Sequence, residues 1–158
     1  TKKMKRSNYI SWDQYFMGVA MLSEKRSKDP STQVGACIVN QDKRIVGIGY
    51  NGFPQKLNDD DFPWEKVGEF EDTKYPYVVH AEANAILNAT QNLKGATIYV
   101  TLFPCHECVK LIIQSGITEL VYASSKYNGT PSDIAAKRML DKADITYRQC
   151  QEVKVTLE

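Results

Sequence analysis

The chain has 158 residues, a length that is typical of one domain and sufficient to bury a hydrophobic core. Its 20 Lys and Arg residues nearly balance its 19 Asp and Glu residues, and a net charge of +1 argues against a long nucleic acid as partner. No apolar run approaches the roughly 20 residues of a membrane-spanning helix. The four cysteines do not indicate a disulfide framework, so a reducing, cytoplasmic location is expected.

Hydrophobic periodicity and turn residues predict elements in the order α-β-β-α-β-α-β-α-β. The expected elements are, in chain order, a helix over 11–26, strands over 34–39 and 44–50, a helix over 81–88, a strand over 96–101, a helix from 105 that Gly116 ends, a strand over 119–123, a helix over 131–142, a strand over 144–148 and a further edge strand over 151–157. Such alternation is typical of an α/β fold. We expect a three-layer sandwich in one domain over 1–158, with helices on both faces of a mixed five-stranded sheet.

The start of the chain combines a polar end with a clear helix signal. Residues 1–8 are polar and basic, and we expect them to form a mobile N-terminal end. Ser11 is expected to begin the first helix, because Gln14 lies three residues later and completes a capping box. The aromatic residues of this helix follow at helical spacing and are expected to lie in the core. Cys37, in the first apolar strand, is expected to be a small buried hydrophobic residue.

The segment 53–79 is the least regular part of the sequence. A loop of this length in a small domain is usually functional or disordered. Its aromatic residues favour a packed flap over disorder, despite the acidic run Asp59-Asp60-Asp61. The segment contains neither Cys nor His, so a second zinc site within it is not expected.

Residues with metal-binding chemistry occur in two groups, His80-Ala81-Glu82 and Pro104-Cys105-His106-Glu107-Cys108. One imidazole and two thiolates form a three-ligand zinc set, which leaves the fourth tetrahedral position open to water, as in catalytic sites. Cysteines at i and i+3 lie on one face of a helical turn, so both sulfurs can reach one ion. Zinc lowers the pKa of bound water to roughly 7. Glu82 is expected to lie beside the metal without ligating it and to shuttle a proton.

The two halves of this motif are more informative together than alone. A lone C-x-x-C also occurs in redox dithiols and in structural zinc sites. The ordered pattern H-x-E … P-C-x-x-C is the signature of zinc-dependent nucleobase deaminases. Both halves are expected at helix N-termini that flank one strand, where the helix dipoles favour thiolates. The substrate cleft is expected at the strand ends around them.

Beyond this motif, the sequence resembles the deoxycytidylate (dCMP) deaminases, a family of the zinc-dependent cytidine and deoxycytidylate deaminase superfamily. The matching segments are Arg26-Ser-Lys-Asp-Pro30, Gln33-Val-Gly-Ala36, Gly47-Ile-Gly-Tyr-Asn-Gly52, Lys74-Tyr-Pro-Tyr77, His80-Ala-Glu82, Thr101-Leu-Phe-Pro-Cys-His-Glu-Cys108, Ile113-Gln-Ser-Gly-Ile117 and Ser125-Lys-Tyr127. The resemblance extends from about Tyr9 to Cys150. Two features, Gly49-Tyr-Asn-Gly52 and the long loop before His80, favour the dCMP deaminases over other members of the superfamily.

The resemblance implies hydrolysis of dCMP to dUMP and ammonia, which would supply dUMP for dTMP synthesis. It implies that His80, Cys105 and Cys108 hold zinc, and that hydroxide attacks C4 of cytosine. Glu82 would take a proton from the zinc-bound water, deliver it to N3 and then protonate the departing amine. The chemistry independently requires such a shuttle, because an amide-like nitrogen leaves poorly unless it is protonated.

The resemblance also suggests substrate contacts, although the sequence leaves alternatives open. Asn51 would hydrogen-bond the deoxyribose, but a role as a β-turn residue explains its position equally well. Ala81 is a further expected contact. The 5′-phosphate requires cations or hydroxyls, for which Lys126, Tyr127 and residues 26–28 are candidates, and each of these is also typical of a solvated surface.

Regulation and assembly follow from the resemblance alone. Family members are hexameric, activated by dCTP with Mg²⁺ and inhibited by dTTP, and the same properties are implied here. Arg26, Ser27 and Lys28, together with Asn51 and Gly52, are expected to form part of a second nucleotide site.

The zinc motif is also found in proteins with other functions. A tRNA adenosine deaminase or a polynucleotide cytidine deaminase shares the zinc motif, but would favour a basic groove with exposed aromatic residues. A free-nucleoside cytidine deaminase usually has Cys where this chain has His80. A non-catalytic, zinc-stabilised interaction module is the alternative of another class, and Glu82 argues against it because a structural site needs no unligated carboxylate.

Overall fold

A computed structural model describes residues 2–158, which contain four α-helices and five β-strands in the predicted order. The elements are α1 (Trp12–Glu24), β1 (Gly35–Val39), β2 (Ile45–Tyr50), α2 (Ala81–Leu87), β3 (Thr97–Leu102), α3 (His106–Gln114), β4 (Glu119–Ser124), α4 (Pro131–Lys142) and β5 (Thr146–Gln149), with a short 3₁₀ turn at Phe70–Asp72. Within the described residues, no helix has the length and apolar character needed to cross a membrane.

The five strands form one mixed sheet in the order β2-β1-β3-β4-β5. Strand β1 is antiparallel to both neighbours, whereas β3, β4 and β5 are parallel. The parallel strands are joined through α3 and α4, as parallel connections require. Helix α1 packs on one face of the sheet and α2, α3 and α4 pack on the other. The predicted three-layer sandwich is therefore confirmed.

Side chains of β1 alternate between two hydrophobic clusters, which explains why the whole strand is buried. Ala36 and Ile38 belong to the cluster under α2, α3 and α4. Cys37 and Val39 belong to the cluster under α1. Cys37 is fully buried, as predicted, and burial raises the pKa of its thiol to about 12.

Helix α1 begins as predicted, with a reciprocal capping box between Ser11 and Gln14. The expectation that its aromatic stripe lies in the core is wrong in part. Phe16 is buried, but Trp12 is 54% exposed and Tyr15 is 45% exposed. The face of α1 that meets the sheet contains Phe16, Met17, Ala20 and Met21. The exposed ring of Trp12 stacks on the ring of Phe16.

Residues 151–157 do not form the edge strand that their sequence suggested. The last ladder contact is the bond from the Cys150 backbone N–H to the Tyr122 carbonyl oxygen. Beyond it, Val153 and Val155 pack against the cluster under α1, so their apolar side chains are partly buried without strand pairing.

The predicted packed flap, residues 53–79, is confirmed in part by its aromatic contacts. The rings of Phe53 and Trp64 lie 4.0 Å apart, and the rings of Phe62 and Tyr77 lie 5.1 Å apart. An isolated backbone bridge between Gly52 and Val79 closes the base of the flap. Two aromatic residues of the flap, Phe70 and Tyr75, remain exposed.

Candidate active site and metal centre

Two helix N-termini bring the metal motif together, as predicted. His80 is the N-cap residue of α2, Cys105 is the N-cap residue of α3, and Cys108 lies in the first turn of α3. The Nδ1 atom of His80 lies 3.3 Å from Sγ of Cys108 and 3.5 Å from Sγ of Cys105. In residues 2–158 this is the one group of His, Cys, Asp or Glu side chains whose ligand atoms are close enough to share an ion.

The spacing of the three ligand atoms fits a zinc ion. Zinc–sulfur bonds of about 2.3 Å and zinc–nitrogen bonds of about 2.1 Å, at a tetrahedral angle, place N and S about 3.6 Å apart. The two nitrogen–sulfur distances are 3.3 and 3.5 Å. Cys108 is buried, Cys105 is half-buried and His80 is accessible, so the free side of the set faces the cavity described below. Three ligands with one accessible side are typical of a catalytic zinc site.

The contact between Cys105 and Cys108 changes the pKa of both thiols. A hydrogen bond from Cys108, helped by His80, lowers the pKa of the Cys105 thiol to about 3, despite burial. The same contact with Cys105, together with burial, raises the pKa of Cys108. A divalent cation deprotonates a coordinating thiol, so metal binding would convert this thiolate–thiol pair into two thiolates.

Glu82 lies in the first turn of α2 and is 4% exposed. Burial raises the pKa of its carboxyl group to about 7, although His80 acts in the opposite direction. Its carboxylate does not belong to the group of ligand atoms. A buried carboxyl group beside a metal site, with a pKa near neutrality, suits proton transfer.

The metal motif opens into a cavity of about 410 Å³. It lies at the ends of β2, β3 and β4, where crevices of α/β sheets bind ligands. Its lining residues are Asp29, Thr32, Val34, Asn51, Lys66, Lys74, Tyr75, Val78, His80, Ala81, Glu82, Leu102, Phe103, Pro104, Cys105, Tyr127, Asn128, Thr130, Ser132 and Asp133. Five residues that the sequence predicted for the site, Asn51, Ala81, Glu82, Cys105 and Tyr127, therefore share one cavity with His80.

Asn51 has a structural role that its side-chain contacts define. It is 6% exposed; its Oδ1 accepts from the Val34 backbone N–H and its Nδ2 donates to the Thr32 carbonyl oxygen, both at 2.9 Å. These bonds tie the end of β2 to the segment before β1. One amide hydrogen and one oxygen lone pair of Asn51 remain for a ligand in the cavity.

The other predicted nucleotide contacts lie apart from this cavity. Lys126 lines a smaller cleft of about 200 Å³ with Glu24 and Glu152. The guanidinium of Arg26 lies 5.7 Å from the centre of the Tyr50 ring, and Lys28 forms an exposed ion pair with Asp59 of the flap.

Two further predicted contacts lie beside Asn51. The hydroxyl of Ser27 donates to the Asn51 carbonyl oxygen at 3.0 Å, and Gly52 pairs with Val79. Arg26 and Ser27 are thus neighbours of Tyr50 and Asn51, whereas Lys28 contacts the flap. All three residues are outside the set that lines the large cavity.

Sequence reasoning missed a buried ion pair in the cavity wall. Nζ of Lys74 lies 2.6 Å from Oδ2 of Asp29, and both side chains are at least nine-tenths buried. Both residues occur in segments that carry the family resemblance, and this was the available signal. Their pairing could not be read from the sequence, because 45 residues separate them.

Comparison with known proteins agrees with this geometry. The family model of the cytidine and deoxycytidylate deaminase zinc-binding region matches residues 10–124. The deoxycytidylate deaminase of Homo sapiens is 53% identical over 147 residues, which cover 92% of this chain and 83% of that protein. The deoxycytidylate deaminase of Mus musculus is 54% identical with the same coverage.

Solved structures show the same fold. The dCMP deaminase from the cyanophage S-TIM5, in complex with dCMP and dUMP, superimposes with a TM-score of 0.70 at 24% identity. The matched region covers 87% of this chain and 95% of the phage chain. With a matching family model, a zinc-type ligand set and a buried carboxylate beside it, the chain belongs to the cytidine and deoxycytidylate deaminase family.

Proposed function

We propose that this protein catalyses the zinc-dependent hydrolysis of dCMP to dUMP and ammonia, and thereby supplies dUMP for dTMP synthesis. The observation that carries the proposal is the position of Glu82, which is buried beside the His80, Cys105 and Cys108 cluster and lines the same cavity. Deoxycytidylate deaminases that are 53–54% identical over 92% of the chain support the choice of substrate.

The residues of the site divide the chemistry between them. His80, Cys105 and Cys108 would hold the zinc ion. When bound, zinc supplies Lewis acidity, which brings the pKa of water to roughly 7. Glu82 takes one proton from the attacking water and delivers it to N3 of cytosine. It then takes the proton that remains on the oxygen added at C4 and passes it to the exocyclic nitrogen, which leaves C4 as ammonia. Burial suits Glu82 to this task, since a carboxyl group with a raised pKa both accepts and returns a proton near neutral pH.

The enclosure of the site favours a small substrate. A cavity of about 410 Å³ is within the range of about 300–1,000 Å³ typical of small-molecule sites. Asn51 is poised to bind the deoxyribose with its remaining hydrogen-bonding capacity, and Ala81 and Tyr127 line the same space. The near-neutral charge of the chain also argues against a polynucleotide substrate.

Regulation is part of the proposal: dCTP with Mg²⁺ activates a homohexameric, cytoplasmic enzyme, and dTTP inhibits it. The effector site includes Arg26, Ser27 and Lys28 beside Asn51 and Gly52. The bond from Ser27 to the Asn51 carbonyl oxygen supports this idea, because a ligand on residues 26–28 would act directly on the strand end that carries Asn51.

The substrate assignment is tested by ammonia release from dCMP, deoxycytidine, CMP and a tRNA. We expect dCMP to be turned over most efficiently; comparable rates with deoxycytidine would contradict the assignment, and activity on tRNA alone would support a polynucleotide deaminase. The dCMP saturation curve should change with dCTP and Mg²⁺ and with dTTP, and unchanged curves would reject the regulation. Light scattering measures whether the protein is a hexamer.

A further inference from the structure

Helix α2 covers strand β2 at the edge of the sheet and supplies hydrogen-bond donors to it. An edge strand leaves a row of carbonyl oxygens without a partner strand. Three such oxygens, on alternate residues of β2, accept bonds from α2 and the residues after it: Tyr50 from Nδ2 of Asn84 at 2.8 Å, Ile48 from Nδ2 of Asn88 at 3.0 Å, and Val46 from the Thr90 backbone N–H at 3.1 Å. The helix is therefore attached to the strand at three points along its length.

Backbone packs against backbone where α2 crosses β2. A Cβ atom on Gly47 would lie 2.5 Å from the Ala85 carbonyl oxygen, and one on Gly49 would lie 2.4 Å from the Ala85 nitrogen. The helix and the strand therefore meet here without the interlocking side chains that fix the relative position of most packed elements. The position of α2 along β2 is fixed instead by the bonds to the strand carbonyls.

Asn84 is the attachment point nearest to the chemistry. It lies two residues after Glu82, and its backbone N–H donates to the His80 carbonyl oxygen at 3.0 Å. Its acceptor, the Tyr50 oxygen, belongs to the peptide bond that leads into Asn51, whose side chain lines the cavity. Asn84 itself is half-buried and is not among the described residues that line the cavity. It joins the helix that carries Glu82 to the strand end that carries Asn51.

Asn88 forms an equivalent bond one turn further from the site. Neither Asn88 nor its acceptor residue, Ile48, is among the described residues that line the cavity. The side chain of Asn51 is held independently of α2, by its two bonds to the segment before β1. Loss of the Asn84 bond would thus free the start of α2 relative to a strand end that stays in place, whereas loss of the Asn88 bond would loosen only the far end of the helix.

We infer that Asn84 is a positioning residue of the active site, whose amide holds Glu82 at the place where a substrate bound beside Asn51 presents its base. The inference rests on the proposed function, because it assigns what positions the carboxyl group that transfers protons. A displacement of about 1 Å at a reacting group can lower the rate about 100-fold. When the contacts that bind the substrate stay in place, such a displacement lowers kcat and leaves KM nearly unchanged.

The test compares Asn84→Ala with Asn88→Ala, which removes the equivalent bond away from the site. Asn84→Ala should lower kcat for dCMP about 10- to 100-fold and change KM by less than about threefold. Asn88→Ala should keep the kcat of the wild type. Each variant loses one hydrogen bond, so the melting temperature of either should fall by no more than about 4 °C. A purely structural role would not separate the two variants in kcat.

A second pair of variants keeps the amide on a side chain that is one methylene longer. Asn84→Gln should have a kcat between those of the wild type and Asn84→Ala, and Asn88→Gln should match the wild type. This pair also provides the comparison if Asn84→Ala fails to fold. Zinc analysis of all four variants separates a misplaced Glu82 from a loosened His80, because only the latter should lower the metal content. We expect full zinc content in each.

The outcomes distinguish this inference from the proposed function. The role of Asn84 is overturned if its variants keep the wild-type kcat, if the Asn88 variants lose as much, or if KM rises while kcat is unchanged. A loss of activity that follows a loss of zinc also overturns it. In each of these cases, turnover of dCMP by the wild type leaves the proposed function intact. A wild-type protein that does not turn over dCMP would reject the proposed function itself, and the inference with it.

Discussion

Asp13 and Arg148 form a two-point ion pair between the first helix and the last strand, 135 residues apart in the chain. Nη1 of Arg148 donates to Oδ2 of Asp13 at 2.7 Å, and Nη2 donates to Oδ1 at 3.0 Å. The Tyr99 hydroxyl also donates to Oδ1 at 2.7 Å. Strand β5 lies at the edge of the sheet and its side chains are mostly exposed, so it buries little apolar surface. The ion pair therefore provides a polar connection between β5 and α1.

Acid should weaken this connection. The hydrogen bonds from Arg148, followed by that from Tyr99, lower the pKa of Asp13 below its ordinary 3.8, although burial acts against them. A carboxylate with a lowered folded-state pKa stabilises the protein above its unfolded-state pKa, and this contribution disappears as pH falls through the folded-state value. We expect Asp13→Asn to lower the free energy of unfolding by about 1 kcal/mol near neutral pH, since partial exposure screens the pair.

Urea denaturation at several pH values measures this effect. The difference between wild type and Asp13→Asn should vanish at a pH below the lowered pKa of Asp13. Asp42→Asn, which changes an exposed carboxylate in the β1–β2 turn, is the matched control. A difference that is constant over the whole pH range would show that the ion pair does not contribute.

Removal of the Glu82 carboxylate should abolish turnover and leave the metal bound. General acid–base catalysis contributes at least about 100-fold, so Glu82→Ala should retain less than about 1% of the wild-type kcat. Glu82→Gln, which preserves shape, should be equally impaired. Metal analysis should find zinc in both variants, because the Glu82 carboxylate lies outside the group of possible ligand atoms. Activity above about 1% would reject the proton-shuttle role.

Loss of a cysteine ligand should lower the zinc content and, as a consequence, the melting temperature. Cys108→Ser replaces a buried thiol that lies 3.3 Å from Nδ1 of His80, and it should yield protein with little zinc and a lower melting temperature. Cys150→Ser, which changes a half-buried cysteine outside the cluster, should keep its zinc. Chelation of the wild type should reproduce the effect of Cys108→Ser, and added zinc should reverse it. Equal zinc content in both variants would contradict the ligand assignment.

Asn51 should be required for stability as well as for activity. Asn51→Ala leaves the Val34 N–H and the Thr32 carbonyl oxygen without their partner, at a cost of about 1–3 kcal/mol in the free energy of unfolding. Chemical denaturation measures the loss, and kinetics with dCMP measures any separate effect on KM. An unchanged stability with a raised KM would mean that Asn51 acts on the substrate alone.

The two glycines of the segment Gly49-Tyr-Asn-Gly52 should respond differently to alanine. A Cβ atom on Gly49 would lie 2.4 Å from the Ala85 nitrogen and 2.5 Å from the Ala81 oxygen, because α2 crosses β2 at this point. Gly49→Ala should therefore destabilise the protein by about 3 kcal/mol and displace the helix that carries Glu82. A Cβ atom on Gly52 meets open space, so Gly52→Ala should leave the melting temperature nearly unchanged. Equal effects at both positions would contradict this explanation.

Local patterns determined much of the fold from the sequence alone. The capping box of Ser11 and Gln14, the range of α4 and the order of nine elements were all predicted, because caps and hydrophobic periodicity are properties of neighbouring residues. The metal cluster was predicted for a related reason. The ordered motif predicted that His80 and Cys105 begin two helices on either side of one strand, and both are N-cap residues in the structure.

The tertiary structure decided what depends on contacts between distant segments. Trp12 is exposed, because the packing angle of α1 on the sheet decides which of its aromatic residues are buried. The tertiary structure placed Val153 against the cluster under α1, although the local pattern indicated a strand. It paired Lys74 with Asp29 across 45 residues and so put a cation into the cavity wall. The packing angle of a helix and the pairing of distant charges are properties of the folded chain, and the sequence by itself contains no local signal for either.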